Sequence, residues 1–174
     1  MYLNELKEQL PEYAKDTKLN LSTVLSVECS PNLSLTQIYA VAVCCAATLK
    51  DKNLLAAIIN TAAENLDEAQ ITAAKAAANL MAMNNVYYRF THLVNDAQFS
   101  SMPTRLRMNF MANPGVPKID FELYSLAASA LNGCGACMEA HTKHLLKLDV
   151  SYEAIQSTVR IAAVVNALNN VLQV

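Results

Sequence analysis

The chain has no tryptophan and only three glycines among its 174 residues. Parallel α/β folds and phosphate-binding loops need glycine where the backbone turns tightly or approaches a phosphate. Both classes are therefore disfavoured. Charge is scarce as well: charged residues make up 16%, with 13 basic and 15 acidic side chains and a net charge of −2. No basic excess is available to grip a nucleic-acid backbone or an anionic membrane surface. Long apolar runs are missing too. The most apolar stretch, 38–49, is too short to cross a bilayer. Residues 1–8 alternate charged and apolar side chains and carry no signal-peptide core. These absences point to a cytoplasmic setting with neither nucleic acid nor membrane as partner. Thiols stay reduced there, and five cysteines is an odd number that fits a disulfide framework poorly. Paired cysteines in such a chain are expected to do redox or metal chemistry.

What the chain does have is apolar side chains, 53% of the total, and many alanines. That composition favours one all-α domain with a real core. Helical spacing and punctuation predict a short helix over about 2–9 and a second over about 11–26, entered at Pro11. A third is capped by Ser34 or Thr36 and runs to about Leu49. A fourth follows the polar joint 50–53. A long helix opens at Asp67-Glu68 and continues to about Val94. The segment 99–117 holds Pro103, Pro114, Gly115 and Pro117 and reads as a linker, interrupted by a short helix over about 104–112. Three helices follow, over about 119–132, 135–148 and 151–172.

The linker separates two similar halves. Residues 37–86 align with 122–171 at a constant offset of 85 and without gaps, and ten of the fifty pairs are identical. Several of those are alanines. The shared run Ala82-x-Asn84-Asn85-Val86 and Ala167-x-Asn169-Asn170-Val171 is more telling. It suggests a duplicated three-helix unit folded into one domain. At that offset Leu49, Lys52 and Ala56 fill the slots of Cys134, Cys137 and His141. The cysteine–histidine cluster is thus dispensable to the architecture, which raises its weight as chemistry.

The cluster reads Asn132-Gly133-Cys134-Gly135-Ala136-Cys137, with His141 and His144 further on. Asn132-Gly133 is a helix stop, since both residues tolerate the left-handed conformation. A new helix then starts at Cys134 or Gly135. Two thiols three apart at a helix start lie within disulfide reach, and the unpaired N–H groups there favour thiolate. His141 sits one turn after Cys137 on the same face and can act as its base. Cys134, nearer the turn, is expected to be the more exposed sulfur. Three readings compete: a redox dithiol, a zinc site of Cys134, Cys137, His141 and His144, and thiols that merely fill a helix contact. The redox reading is favoured. Zinc needs its ligands within about 2.0–2.3 Å of one point, and zinc sites draw on two elements; four side chains along one helix are too spread.

Other residues read more blandly. Cys44 and Cys45 lie in an apolar helix with no adjacent base and read as buried filler. Cys29 reads as an inert thiol and His92 as structural. Asn84-Asn85 and Asn169-Asn170, present in both halves, suggest packing or helix termination. Glu122, by spacing alone, is an acid in the first turn of a helix, where it suits the dipole.

The cluster and its setting resemble the alkylhydroperoxidase D (AhpD-like) family within the carboxymuconolactone decarboxylase-like superfamily. The family pattern is a glutamate, eleven residues, Cys-x-x-Cys, three residues and a histidine. Here Glu122, Cys134-Gly135-Ala136-Cys137 and His141 meet every spacing. The N-terminal Leu10-Pro11-Glu12-Tyr13-Ala14-Lys15-Asp16, followed by Lys18-Leu19-Asn20-Leu21, is also similar, as are the length and the duplication. One departure is Ala136, where some members carry a histidine. The resemblance implies a single AhpD-like domain over 1–174 and an antioxidant thiol peroxidase and disulfide reductase. It implies that Cys137 is the peroxidatic thiol that becomes a sulfenic acid, and that Cys134 resolves it into a Cys134–Cys137 disulfide. Glu122 and His141 would form a proton relay. It further implies recycling by dihydrolipoyl groups on a partner protein, reduction of a peroxiredoxin of the alkyl hydroperoxide reductase C type through a mixed disulfide at Cys137, and a homotrimer. No bound cofactor or metal is implied. A non-peroxidatic decarboxylase acting on a small lactone acid, or a helical interaction module with structural cysteines, remain alternatives.

Overall fold

Local capping signals set most of the helix boundaries in the computed structural model, which describes residues 1–174. Ser34 accepts a hydrogen bond from the Gln37 N–H and starts α3 (Leu35–Leu49). Asp67 does the same for Gln70 and starts α5 (Glu68–Val94), and Ser151 for Ala154 at α9 (Tyr152–Leu172). Each side-chain oxygen satisfies a donor that the first turn leaves unpaired. The remaining helices are α1 (Leu3–Glu8), α2 (Lys15–Val24), α4 (Lys52–Thr61), α6 (Ala97–Ser101), α7 (Lys118–Leu131) and α8 (Gly135–Lys147). The chain forms no strand, so the all-α expectation holds.

Two expectations change. The helix expected over 11–26 is a 3-10 turn, Glu12–Ala14, followed by α2, with Pro11 before the turn. The short helix expected over 104–112 is absent. Asp96 instead caps α6, and a 3-10 turn spans Asn109–Ala112. Pro103 stops α6 because the residue before a proline is pushed out of the helical region. Arg105 takes a left-handed backbone (φ 53°) that breaks any helix through it.

α3 is the centre of the molecule. Ile38 and every residue from Ala40 to Ala46 are buried, as befits a helix apolar on all sides. It packs against α4, α5, α7 and α9, and α7 in turn packs against α5, α8 and α9. Small side chains make that crowding possible: Ala73, Ala74, Ala77 and Ala78 on α5 and Ala127 and Ala128 on α7 let helix axes approach closely. Around them Ile38, Leu54, Ile58, Leu123, Leu126, Leu145 and Ile161 are sealed from solvent. Truncating one of the leucines to alanine costs about 2–5 kcal/mol. No helix is long and apolar enough to cross a membrane. α7, wedged among α3, α5 and α9, provides a rigid base for α8.

Candidate active site

α7 ends one residue before the cluster in a tightly specified stop. Gly133 adopts φ +66°, its N–H reaches Ala130 O (3.2 Å), and the Cys134 N–H reaches Ser129 O (3.1 Å). This pair of bonds is the Schellman arrangement, which needs a left-handed residue at the helix end. α5 holds the stop from the side. Asn85 donates to Ser129 Oγ (2.9 Å) and accepts from Asn132 Nδ2 (2.9 Å), while Arg89 donates to Asn132 O (2.6 Å). The packing role read for Asn84-Asn85 therefore has a concrete form at Asn85. Arg89 was not singled out by the sequence, and no local signal marks it.

Past the stop, Cys134 is itself the cap of α8. Its Sγ accepts from the Cys137 N–H at 3.3 Å and is bonded to Cys137 Sγ, with the two Cα atoms 5.3 Å apart. The expected exposure is reversed. Cys134 is 0% exposed and Cys137 6%, because capping turns the Cys134 side chain inward against the helix start.

Cys137 instead forms part of the wall of a mostly apolar cavity of about 230 Å³. Met81, Asn84 and Tyr88 of α5, Met108 and Met111 of the connector, and Ala136 and His141 of α8 share that wall. The connector 99–117 is thus more than a joint, since its methionines close one side of the cavity. No sequence pattern placed them there. Ala136, where some relatives of the family pattern carry histidine, leaves this wall apolar.

Glu122 lies on α7 facing α8. His141 Nδ1 stands 2.8 Å from Oε2 and His144 Nδ1 3.0 Å from Oε1. The Glu122 side chain is 8% exposed, His141 12% and His144 36%. Burial pushes the Glu122 carboxyl up, but the hydrogen bond and charge of His141, then those of His144, outweigh it and hold the group below its ordinary value. Glu122 is accordingly a carboxylate at neutral pH and only accepts. The His141 ring then carries its hydrogen on Nδ1, which leaves its Nε2 as the basic atom. His141 makes no direct hydrogen bond to either sulfur in this disulfide state, and it shares the cavity with Cys137.

The four residues with zinc-like spacing diverge: the sulfurs join each other, and both imidazoles turn to Glu122. Cys44 and Cys45 are buried inside α3. Burial pushes the Cys44 thiol up to about 12 and raises Cys45 well above its ordinary value, so neither supplies a thiolate. Cys29 is partly exposed and its carbonyl accepts from Arg160. His92 is exposed in the last turn of α5, where a base suits the negative end of the helix. A disulfide between vicinal positions, with one sulfur facing an apolar cavity and an oriented imidazole in the same wall, can cycle between dithiol and disulfide.

Comparison with known proteins agrees with this chemistry. The model of the carboxymuconolactone decarboxylase family matches residues 97–174, the stretch from α6 to α9 that contains the whole cluster. A protein of Coxiella burnetii called alkyl hydroperoxide reductase AhpD is 52% identical over 169 residues, which covers 97% of this chain and 96% of that protein. Proteins of the same name from Rhodospirillum centenum and a Bradyrhizobium species are 49% and 50% identical, covering 99% and 97% of this chain and 91% of each relative.

Proposed function

Because the chain belongs to the alkylhydroperoxidase D family, an alkyl hydroperoxide reductase by its relatives, we propose the following cycle for it. Cys137 is the peroxidatic thiol. His141 Nε2 takes its proton, directly or through a water in the cavity, while Glu122 holds the ring. The thiolate attacks the outer oxygen of an organic hydroperoxide. The O–O bond breaks, Cys137 becomes a sulfenic acid, and the alkoxide leaves as alcohol with the proton from His141. Cys134 then attacks the Cys137 sulfur, the disulfide forms and water departs.

Reduction runs through the same sulfur. One thiol of a dihydrolipoyl group on a partner protein attacks Cys137, the sulfur that reaches the cavity, and forms a mixed disulfide; the second lipoyl thiol then attacks the first lipoyl sulfur, which closes the lipoyl disulfide and releases Cys137 as a thiol. Cys134 is the leaving group. The Cys137 N–H and the start of α8 favour it as a thiolate, and a stabilised thiolate leaves faster. The same cavity-facing sulfur suits a mixed disulfide with a peroxiredoxin of the alkyl hydroperoxide reductase C type. No cofactor need reside in the chain. Phe90, Leu93 and Val94 on α5 and Phe99 and Phe110 beyond it are large apolar side chains left exposed. A homotrimer in the cytoplasm would cover such a surface.

The observation that carries this reading is the placement of Cys137, bonded to Cys134, in one cavity wall with a histidine that Glu122 orients. A decarboxylase of a lactone acid needs no vicinal thiols, and an interaction module needs no oriented base. The test is hydroperoxide consumption with dihydrolipoamide as reductant. The native protein should turn over, Cys137→Ser should not, and Cys134→Ser should stop at the sulfenic acid without an intramolecular disulfide. Normal turnover by Cys137→Ser would end the assignment.

A further inference from the structure

We propose that His144 is a positioning residue for this site: its imidazole holds Oε1 of Glu122 and so aims Oε2 at His141. The proposal rests on the relay reading above and extends it to a residue outside the family pattern.

The geometry is one carboxylate shared by two rings. His141 and His144 are three residues apart on α8, hence neighbours on one face, and each meets a different oxygen at 2.8 and 3.0 Å. A buried carboxylate needs a partner on each oxygen, and Glu122 has no other. Asp120, half a turn earlier on α7, is engaged by Gln37 of α3 (2.7 Å). Arg89 of α5 is committed to Asn132 O, and Lys143 of α8 to Glu139. α9 places no charged side chain in an ion pair with Glu122. His144 is therefore the only partner of Oε1.

The physical need for it follows from the softness of a glutamate. The last torsion of the side chain is broad, so one hydrogen bond leaves the carboxylate plane free to swing. A second contact, the His144 ring at 3.0 Å from the opposite oxygen, restrains it. Without His144, Oε1 would stand unpaired in a largely closed site, and desolvation would favour the protonated acid. A protonated Glu122 accepts less well from the His141 N–H, and the ring loses both its tautomer and its aim at the cavity. His144 itself lies outside the cavity wall. It acts only through Glu122.

The experiment compares His144→Leu and His144→Gln with the native protein, reading two quantities. One is the pH dependence of Cys137 alkylation by iodoacetamide in the reduced protein, resolved by peptide mass spectrometry. The other is kcat and KM for cumene hydroperoxide with dihydrolipoamide. His144→Leu should lower kcat about ten-fold, a fraction of the span a general base supplies, with KM within about two-fold. Its alkylation should also fail at a higher pH than in the native protein. His144→Gln, whose amide can donate to Oε1, should recover to within about three-fold. The proposal is overturned if His144→Leu matches the native protein in both readouts, or if His144→Gln is as slow as His144→Leu. The two readings fail separately. A native protein without turnover, but with an alkylation profile that moves in His144→Leu, removes the peroxidase cycle and keeps the positioning role. Native turnover, with His144→Leu matching it in both readouts, does the reverse.

Discussion

The joint between α3 and α4 and the joint between α7 and α8 solve one backbone problem with different chemistry. In the first, Lys50 takes the left-handed conformation (φ 63°) and Asp51 caps α4, its Oδ1 accepting from the Asn53 and Leu54 N–H groups at 2.9 Å. In the second, Gly133 takes the left-handed conformation and Cys134 caps α8 through sulfur. A carboxylate is the stronger cap. A thiol in that place gives up some helix stability and gains an N–H donor for its thiolate. By their caps the joints correspond at an offset of 83, so Asp51, Leu54 and Ile58, and not Leu49, Lys52 and Ala56, stand where Cys134, Cys137 and His141 stand. The three replacements carry no redox chemistry, and Leu54 and Ile58 are core.

The contrast extends to the base of the site. By position in their helices Tyr39 and Thr61 take the places of Glu122 and His144. There the first half is closed by the N-terminal segment, whose Leu3 N–H donates to Thr61 Oγ1 at 2.8 Å. The second half leaves the matching region to a charged cluster and, beside it, a cavity. The matching regions are thus packing in the first half and a candidate reaction site in the second. We read the halves as copies of one unit.

The sharpest way to break this comparison is to exchange consequences at matching positions. Cys137→Ser should lose at least about 10³-fold in turnover, as loss of a nucleophile does, with its helix content unchanged. Leu54→Ala, at the same place in α4, should cost about 2–5 kcal/mol of stability in chemical denaturation. If Cys137→Ser were the less stable of the two, the division between packing and chemistry would be wrong. The caps come next. Asp51→Ala should lose about 1 kcal/mol. Cys134→Asp, which gives α8 the cap of α4, should be more stable than Cys134→Ala by about 0.5–2 kcal/mol, compared under reducing conditions. Equal stability would mean that the Cys134 position is not acting as a cap. Smaller still is an acid-side effect. Glu122 is held below its ordinary 4.5, so its charged form adds stability that is complete above that value and drains away as pH falls through the depressed one. The melting temperature of the native protein should then approach that of Glu122→Gln as pH drops below 4.5. A constant difference would remove the coupling. The smallest response belongs to Cys44, which should resist alkylation in the folded protein at pH 8, where Cys137 reacts.

Much of this molecule is legible in local sequence. Ser34, Asp67 and Ser151 announce their helices because a cap acts within four residues. Asn132-Gly133 announces the stop before Cys134 for the same reason. The dithiol and His141 share one helix, so their spacing is enough to put them together. Glu122 is different. Spacing reads it as an ordinary helix acid, and only the resemblance assigned it to the site, because its meeting with His141 depends on how α7 lies against α8. Asn85 was marked only by its recurrence in both halves and His144 only by a zinc-like spacing, while Arg89, Met108 and Met111 had no signal at all. The one misplaced helix, over 104–112, lies where Pro103 and a left-handed Arg105 interrupt the chain.

The amino-acid sequence by itself determined the helical class, most helix boundaries and the spacing of the cysteine–histidine cluster, since each depends on interactions between residues a turn or two apart. The tertiary structure decided which sulfur is sealed and which faces the cavity, what surrounds that cavity, and that Glu122 stands between two imidazoles. Those outcomes require helices distant in sequence to come within hydrogen-bond length of each other, and only their packing around α3 and α7 sets that distance.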